Sequence, residues 1–282
     1  MTEKFDPAVR RRHEGEKARD ICLRPWKTAV PPIQVSPHTW FVGNEWVGVF
    51  WIDTGDGLIL LDAGMPPQTY LIFEGMRTRG FDPRDIKIAL LSHAHFDHCG
   101  GMRAVIEYTG AKLWAAREDT EELLHPTELL KNDYQVVAPD AAYETGKTID
   151  LGAISVEPVV VGGHTPGTTC FFYADRDENG REYRVGIHGG LGLSKLADEY
   201  FQRPEDAFAA RDAYRRAQEM VMDRPVDIAL SFHPYNVSLV ERAAAAGGDW
   251  RAQIDTEAWR AMELVRLRNL ADLEEASAFQ RG

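Results

Sequence analysis

The run SHAHFDHCGG, from Ser92 to Gly101, places His93, His95, Asp97 and His98 within six positions, straight after the apolar segment IKIALL. Histidines two apart at the end of an extended segment leave the same face of the chain. Asp97 and His98 follow where Gly100-Gly101 frees the backbone to bend toward a helix. Neutral imidazole and carboxylate are zinc ligands, and a catalytic zinc keeps one position open for water. Four such groups, with partners still to come from elsewhere, exceed what one tetrahedral ion needs. The run therefore points to two metals. A histidine cluster without metal is the bland alternative, but packed imidazoles repel once protonated and shed stability as pH falls.

Two further histidines share the same grammar. His164 follows ISVEPVVV in the glycine-rich turn VVVGGHTPGT, and His233 follows VDIALS in ALSFHP. Either alone reads as well as a core histidine. As a set with the first cluster, each at the end of a buried strand, they read as the remaining donors on one rim.

The elements that must position these residues are legible in outline. TWFVG, EWVGVFWID and GLILLDAG are short β-branched and aromatic runs separated by Gly and by Asp56-Gly57, so strands are expected from Thr39 onward. Pro66-Pro67 opens a helix expected to run to Arg79, and Gly80 ends it. IKIALL and KLWAA are strands, MRAVIEYTG and REDTEELL helices. Residues 131–146 are polar and aperiodic, a surface loop. ISVEPVVV, TTCFFYAD and REYRVGIH are strands, the last two a hairpin through Glu178-Asn179-Gly180. PEDAFAARDAYRRAQEMV is a long helix and VDIALS a buried strand. From Val237 the chain reads as helical, with Trp250, Ile254, Trp259, Met262, Leu264, Leu267 and Leu270 on a face turned to the core. Two successive blocks of strands with helices predict sheets inside and helices on both outer faces.

Bulk properties bound the function. A length of 282 residues permits one large domain or two small ones, and 44% hydrophobic with 27% charged residues is ordinary globular composition. A net charge of −12 speaks against a nucleic-acid partner, whose phosphates need Lys and Arg. Cys22, Cys99 and Cys170 are odd in number and lack a C-x-x-C pair, which fits a reducing compartment. The first 20 residues contain no apolar signal-peptide core, so a cytoplasmic chain is expected. No run approaches a membrane span.

SHAHFDH matches the H-x-H-x-D-H signature of the metallo-β-lactamase superfamily, and LILLDAG, GGHTPGT and SFHP match its other recurrent segments in order. The resemblance covers roughly residues 36–245. It implies a four-layer αββα sandwich, with residues 1–35 as an N-terminal arm and 36–282 as a single domain including the C-terminal helices. It further implies that His93, His95 and His164 hold one zinc and Asp97, His98 and His233 a second. Relatives of the glyoxalase II, lactonase, phosphodiesterase and flavodiiron types carry a bridging Asp after the strand following GHTPG. Here that segment reads YRVGIHGGLGLS, and Gly189 to Leu191 offer no ligand. This absence resembles subclass 3 of the class B β-lactamases.

The resemblance thus implies a dizinc hydrolase that opens a β-lactam amide with water activated by the metals, Asp97 orienting that water and moving its proton. A cytoplasmic hydrolase of a lactone, ester or small amide is the alternative, and a metal-loaded scaffold without catalysis a more distant one. The partner expected is a small-molecule substrate, with neither nucleic acid nor membrane. His188, beside the Gly-Gly pair, is either a ring facing substrate or supporting the ligands, or a plain strand-end histidine. Cys99 reads as packing, and His13, His38 and His125 as solvated.

Overall fold

The computed structural model describes residues 21–127 and 135–280. Residues 1–20 of the expected arm, His13 among them, and positions 131–134 of the expected loop lie outside the described residues.

Two sheets face each other. One runs in the order β1 (Ala29–Gln34), β2 (Thr39–Asn44), β3 (Gly48–Asp53), β4 (Leu58–Leu61), β5 (Ile86–Leu90), β6 (Lys112–Ala115) and β7 (Ala141–Ala142). The other runs β12 (Ile228–Ser231), β11 (Glu182–His188), β10 (Thr169–Arg176), β9 (Ile154–Val160) and β8 (Ile149–Leu151). Alternation along the strands explains the layering. Val49, Trp51, Leu58 and Leu60 pack toward α1 (Thr69–Thr78) and α3 (Met102–Thr109), while Phe50, Ile52, Ile59 and Leu61 meet the second sheet. Strands covered on both faces carry unbroken apolar runs, which is why LILL shows no polar alternation. Ala217 and Val221 of α5 (Pro204–Val221), with Trp259 and Met262 of α7 (Ala258–Glu275), cover the second sheet. The result is the αββα sandwich.

β4, β5 and β6 are parallel, as are β11 and β12, so α1, α3 and α5 serve as crossovers and the following loops collect on one rim. At that rim the backbone ties the sheets together. Thr169 N–H donates to the Ser92 carbonyl and Gly48 N–H to that of Phe232, each at 2.9 Å.

The structure departs from expectation in three places. β1 lies inside the stretch read as an arm and pairs with β2, its register shifting between Val30 and Ile33. Pro31 and Pro32 hid it, because proline removes ladder donors and is tolerated only at a sheet edge, which is where β1 sits. Ala141–Ala142, read as loop, adds to β6 under Tyr143, whose hydroxyl donates to the carbonyls of Leu91 and Trp114. On α7, Trp259, Met262 and Leu270 are buried, but Leu264 is exposed and its neighbour Glu263 is fully buried. Among the described residues no helix is long and apolar enough to cross a membrane.

Candidate metal centre

The loop leaving β5 carries His93 and His95, and the single-turn α2 (Phe96–Cys99) carries Asp97 and His98. His164 comes from the turn after β9 and His233 from the residues after β12. Distant in sequence, all six meet. Donor atoms of His93, His95 and His164 lie within 4.8 Å of one another, and those of Asp97, His98 and His233 form a second group within the same limit. The groups adjoin: the His93 and His98 ring centroids are 4.0 Å apart. Nε2 of His93 is 3.1 Å from Nδ1 of His95, and Asp97 Oδ2 stands 3.5 Å from Nε2 of both His98 and His233.

The rear nitrogens decide which atoms face inward. His164 Nδ1–H donates to the Gly192 carbonyl at 2.8 Å and His233 Nδ1–H to that of Trp46 at 2.7 Å. A carbonyl only accepts, so both rings turn a bare Nε2 toward the cluster. His98 Nδ1 meets Asp62 Oδ2 at 2.7 Å, and His93 Nδ1 meets Ser92 Oγ at 3.0 Å. Such partners behind a histidine fix its tautomer and orientation for a metal.

Electrostatics agree. Burial pushes His93 and His95 well below the ordinary imidazole value and takes His164 and His233 down to about 4, which leaves neutral rings. Burial opposes charge on Asp97 as well, yet His98 holds its carboxyl far below the usual range. His98 is the exception. Burial works against its proton, but Asp97 and Asp62 on either side raise it to about 10. Two buried carboxylates there call for a cation, and His98 Nε2 is buried with no hydrogen-bond partner among the described residues. Five imidazoles and one carboxylate with these orientations suit divalent metal.

Several residues of the site were not singled out from the sequence, although LILLDAG marked the segment that holds Asp62. Asp62, within LILLDAG, accepts from Ser92 N–H and Oγ–H, each at 2.7 Å, as well as facing His98. Its backbone is left-handed at φ 62°, which short polar side chains tolerate best. Asp119 accepts from the N–H groups of Ala94 and Gly167 and from Thr165 Oγ. It thereby joins the first histidine loop to the His164 turn. Lys195 Nζ lies 2.9 Å from His95 Nε2. Trp46, in the turn between β2 and β3, packs on His233 with centroids 5.4 Å apart.

Where a bridging ligand would stand, the turn is glycine for steric reasons. A Cβ on Gly190 would fall 2.4 Å from His164 Cδ2, and one on Gly192 would fall 2.9 Å from its Cε1. His188 joins neither donor group; its ring is buried and turned toward Glu263. Cys99 is buried in an apolar cluster. His125 is exposed, and His38 is half-exposed with Nδ1 2.7 Å from Asp175.

Comparison with known proteins gives a consistent picture. The family model of the Metallo-beta-lactamase superfamily matches residues 43–178. An N-acyl homoserine lactonase of Bacillus thuringiensis is 26% identical over 210 residues, covering 64% of this chain and 78% of the lactonase. A hydroxyacylglutathione hydrolase of Jannaschia sp. (strain CCS1) is 33% identical over 107 residues, 38% of this chain, and the match spans only 36% of that hydrolase. Among solved structures, BJP-1, a subclass B3 metallo-beta-lactamase of Bradyrhizobium japonicum, superposes with a TM-score of 0.79 at 26% identity, over 90% of this chain and 99% of that one. FEZ-1 of Legionella gormanii, at 23% identity over 88% of this chain and 97% of its own, shares the fold with a TM-score of 0.78.

Proposed function

We propose that this chain, whose residues 43–178 match the family model of the Metallo-beta-lactamase superfamily, is a dizinc hydrolase opening the amide of a β-lactam ring. His93, His95 and His164 would hold one zinc, and Asp97, His98 and His233 the other. The observation that carries the reading is the turn at 189–192. A Cβ at Gly190 or Gly192 would crowd the His164 ring, and Leu191 has no ligand atom, so the turn supplies no bridging carboxylate, the pattern of the third β-lactamase subclass.

Divalent zinc supplies Lewis acidity toward a carbonyl oxygen and makes water acidic enough to ionise near neutral pH. The chain does the rest. Asp97, a charged acceptor between His98 and His233, orients the attacking water and takes its proton. That proton passes to the ring nitrogen as the C–N bond breaks and the new C–O bond forms. Asp62, Ser92, Gly192 and the Trp46 carbonyl hold four rings in register from behind, so little reorganisation is left for the reaction. Lys195 supplies a cation beside His95, matched to a substrate that bears a carboxylate. The chemistry calls for no serine or cysteine nucleophile. The three described cysteines are buried free thiols, in keeping with a reducing compartment.

The likeness to the lactonase supports a second reading, in which the scissile bond is a lactone or another ester and β-lactam turnover is incidental. Purified protein should contain two zinc ions per chain, lose activity to a chelator and regain it with zinc. Steady-state kinetics on nitrocefin, a carbapenem and an N-acyl homoserine lactone separate the readings. β-Lactam kcat/KM far below ~10⁴ M⁻¹s⁻¹, the low end for ordinary enzymes, with a lactone above it, would reverse their order.

A further inference from the structure

His188 and Glu263 form a buried pair that the hydrolytic reading leaves unused. Both side chains are wholly shielded from solvent, with His188 Nε2 and Glu263 Oε1 3.7 Å apart. The imidazole tautomer follows from its other side. Gly190 N–H donates to His188 Nδ1 at 3.2 Å, so Nδ1 is the acceptor and the proton sits on Nε2, aimed at the carboxyl. This is a pair of neutral groups, because burial pushes Glu263 up to about 8 and His188 down to about 3.

The pair leaves polar atoms without partners, and among the described residues Nε of Arg266, whose charge acts on both His188 and Glu263, has none either. Both oxygens of Glu263, both side-chain polar atoms of Gln218, and His188 Nε2 are buried and make no hydrogen bond among the described residues. Two ties fix how α5 and α7 lie together: Trp259 Nε1–H donates to the Val221 carbonyl at 2.9 Å, and Arg215 pairs with Glu274 at 2.6 Å. Buried polar groups are rarely left unsatisfied, and an internal water is retained where two to four polar atoms converge on it.

The far side of His188 leads to the metal centre. Gly190, which it holds through the backbone, lies against the His164 ring, and the Gly192 carbonyl accepts the proton of His164 Nδ1. Tyr214 pins the same turn from α5 by donating its hydroxyl to the Leu191 carbonyl at 2.8 Å.

We propose that Glu263, facing Nε2, orients His188, and that His188 thereby fixes the turn that presents His164 to its metal. Both are positioning residues for one of the two ions. The inference rests on the metal reading above. It also assigns a role to a histidine that the sequence leaves undecided, and it draws a buried acid of the C-terminal helix into the site.

The experiment is a zinc-affinity titration of the holoenzyme against a chromophoric chelator, resolving two sites. His188→Phe, which removes the acceptor for Gly190, should weaken one ion by roughly ten- to a hundredfold, the usual loss for a group that orients a ligand, and leave the other unchanged. The cobalt-substituted variant should show an altered visible spectrum. Glu263→Gln keeps the shape and acceptor of the neutral carboxyl and should retain wild-type affinity, whereas Glu263→Met should weaken the same ion as His188→Phe. Unchanged affinity for both ions in a folded His188→Phe overturns the inference while leaving the metal reading intact. Wild-type protein that binds no zinc sinks the metal reading and this one with it. If His188→Phe fails to fold, histidine ¹H–¹⁵N long-range spectra of wild type decide the matter. A His188 protonated on Nε2 supports the assignment, and one protonated on Nδ1 overturns it.

Discussion

Removing the Asp119 side chain should loosen the site from a distance. The carboxylate accepts from Ala94 N–H at 2.9 Å, Gly167 N–H at 2.7 Å and Thr165 Oγ at 2.8 Å. Gly167 comes so close that a Cβ there would lie 2.6 Å from Asp119 Cγ. In Asp119→Ala the Thr165 hydroxyl can turn to Thr168 Oγ1, 3.0 Å away, so that bond costs little. The two backbone donors have no such recourse, and each buried orphan costs about 1–3 kcal/mol. Burial works against the wild-type carboxylate and raises its pKa despite the three donors, which returns part of the loss. The net expectation is a destabilisation of roughly 2–5 kcal/mol, a large share of the ~5–15 kcal/mol that holds a typical domain. Because the His93–His95 loop and the His164 turn lose their common tie, kcat/KM should fall by about a hundredfold, the scale for a misplacement near 1 Å. Asp119→Asn, which keeps one carbonyl acceptor, should fall between. Urea unfolding and steady-state kinetics on the preferred substrate make the test. Asp119→Ala within ~0.5 kcal/mol of wild type, the usual range for an inert surface change, would refute the reasoning.

Asp97→Ala should abolish turnover and weaken one zinc while the far-ultraviolet circular dichroism stays native; residual activity within tenfold of wild type would deny Asp97 its role. Gly190→Ala must push a methyl into His164, so zinc content should drop below two per chain by elemental analysis, and full occupancy would contradict the packing. Glu263 makes a prediction about pH. Folded, it keeps its proton up to about 8, against a reference of 4.5, so between those values the folded chain binds more protons and its stability falls as pH rises. His188 acts oppositely below 6.5, where its buried ring stays neutral while an unfolded one charges. Glu263→Gln cancels only the first effect and should gain on wild type by up to ~1.4 kcal/mol per pH unit across that window. Parallel stability curves in urea at several pH values would exclude it.

What the sequence could convey depended on whether a residue announces its partners. His93 to His98 are contiguous, and His164 and His233 each follow an apolar run at a turn, so strand-end grammar was enough to single them out. Asp62, Asp119 and Glu263 are ordinary acids in ordinary surroundings along the chain. Their importance comes from donors and rings brought near by the fold, such as Ser92, 30 positions from Asp62. The helical period of α7 was readable, but apolar counting favoured Leu264 over Glu263, because it assumes that a carboxyl stays charged and stays outside. The layered architecture followed from continuous apolar strands flanked by amphipathic helices. β1 escaped because its two prolines contradict the usual signature of a strand.

That same proline pair guards the molecule against itself. A sheet that ends in free amide groups is a template on which further chains can stack, and many β-rich proteins aggregate by this route. Here residues 31 and 32 have no amide hydrogen to offer, and Arg79 occupies the Pro32 carbonyl at 2.7 Å. An incoming strand therefore finds no donor at these two positions, and the Pro32 carbonyl is already engaged.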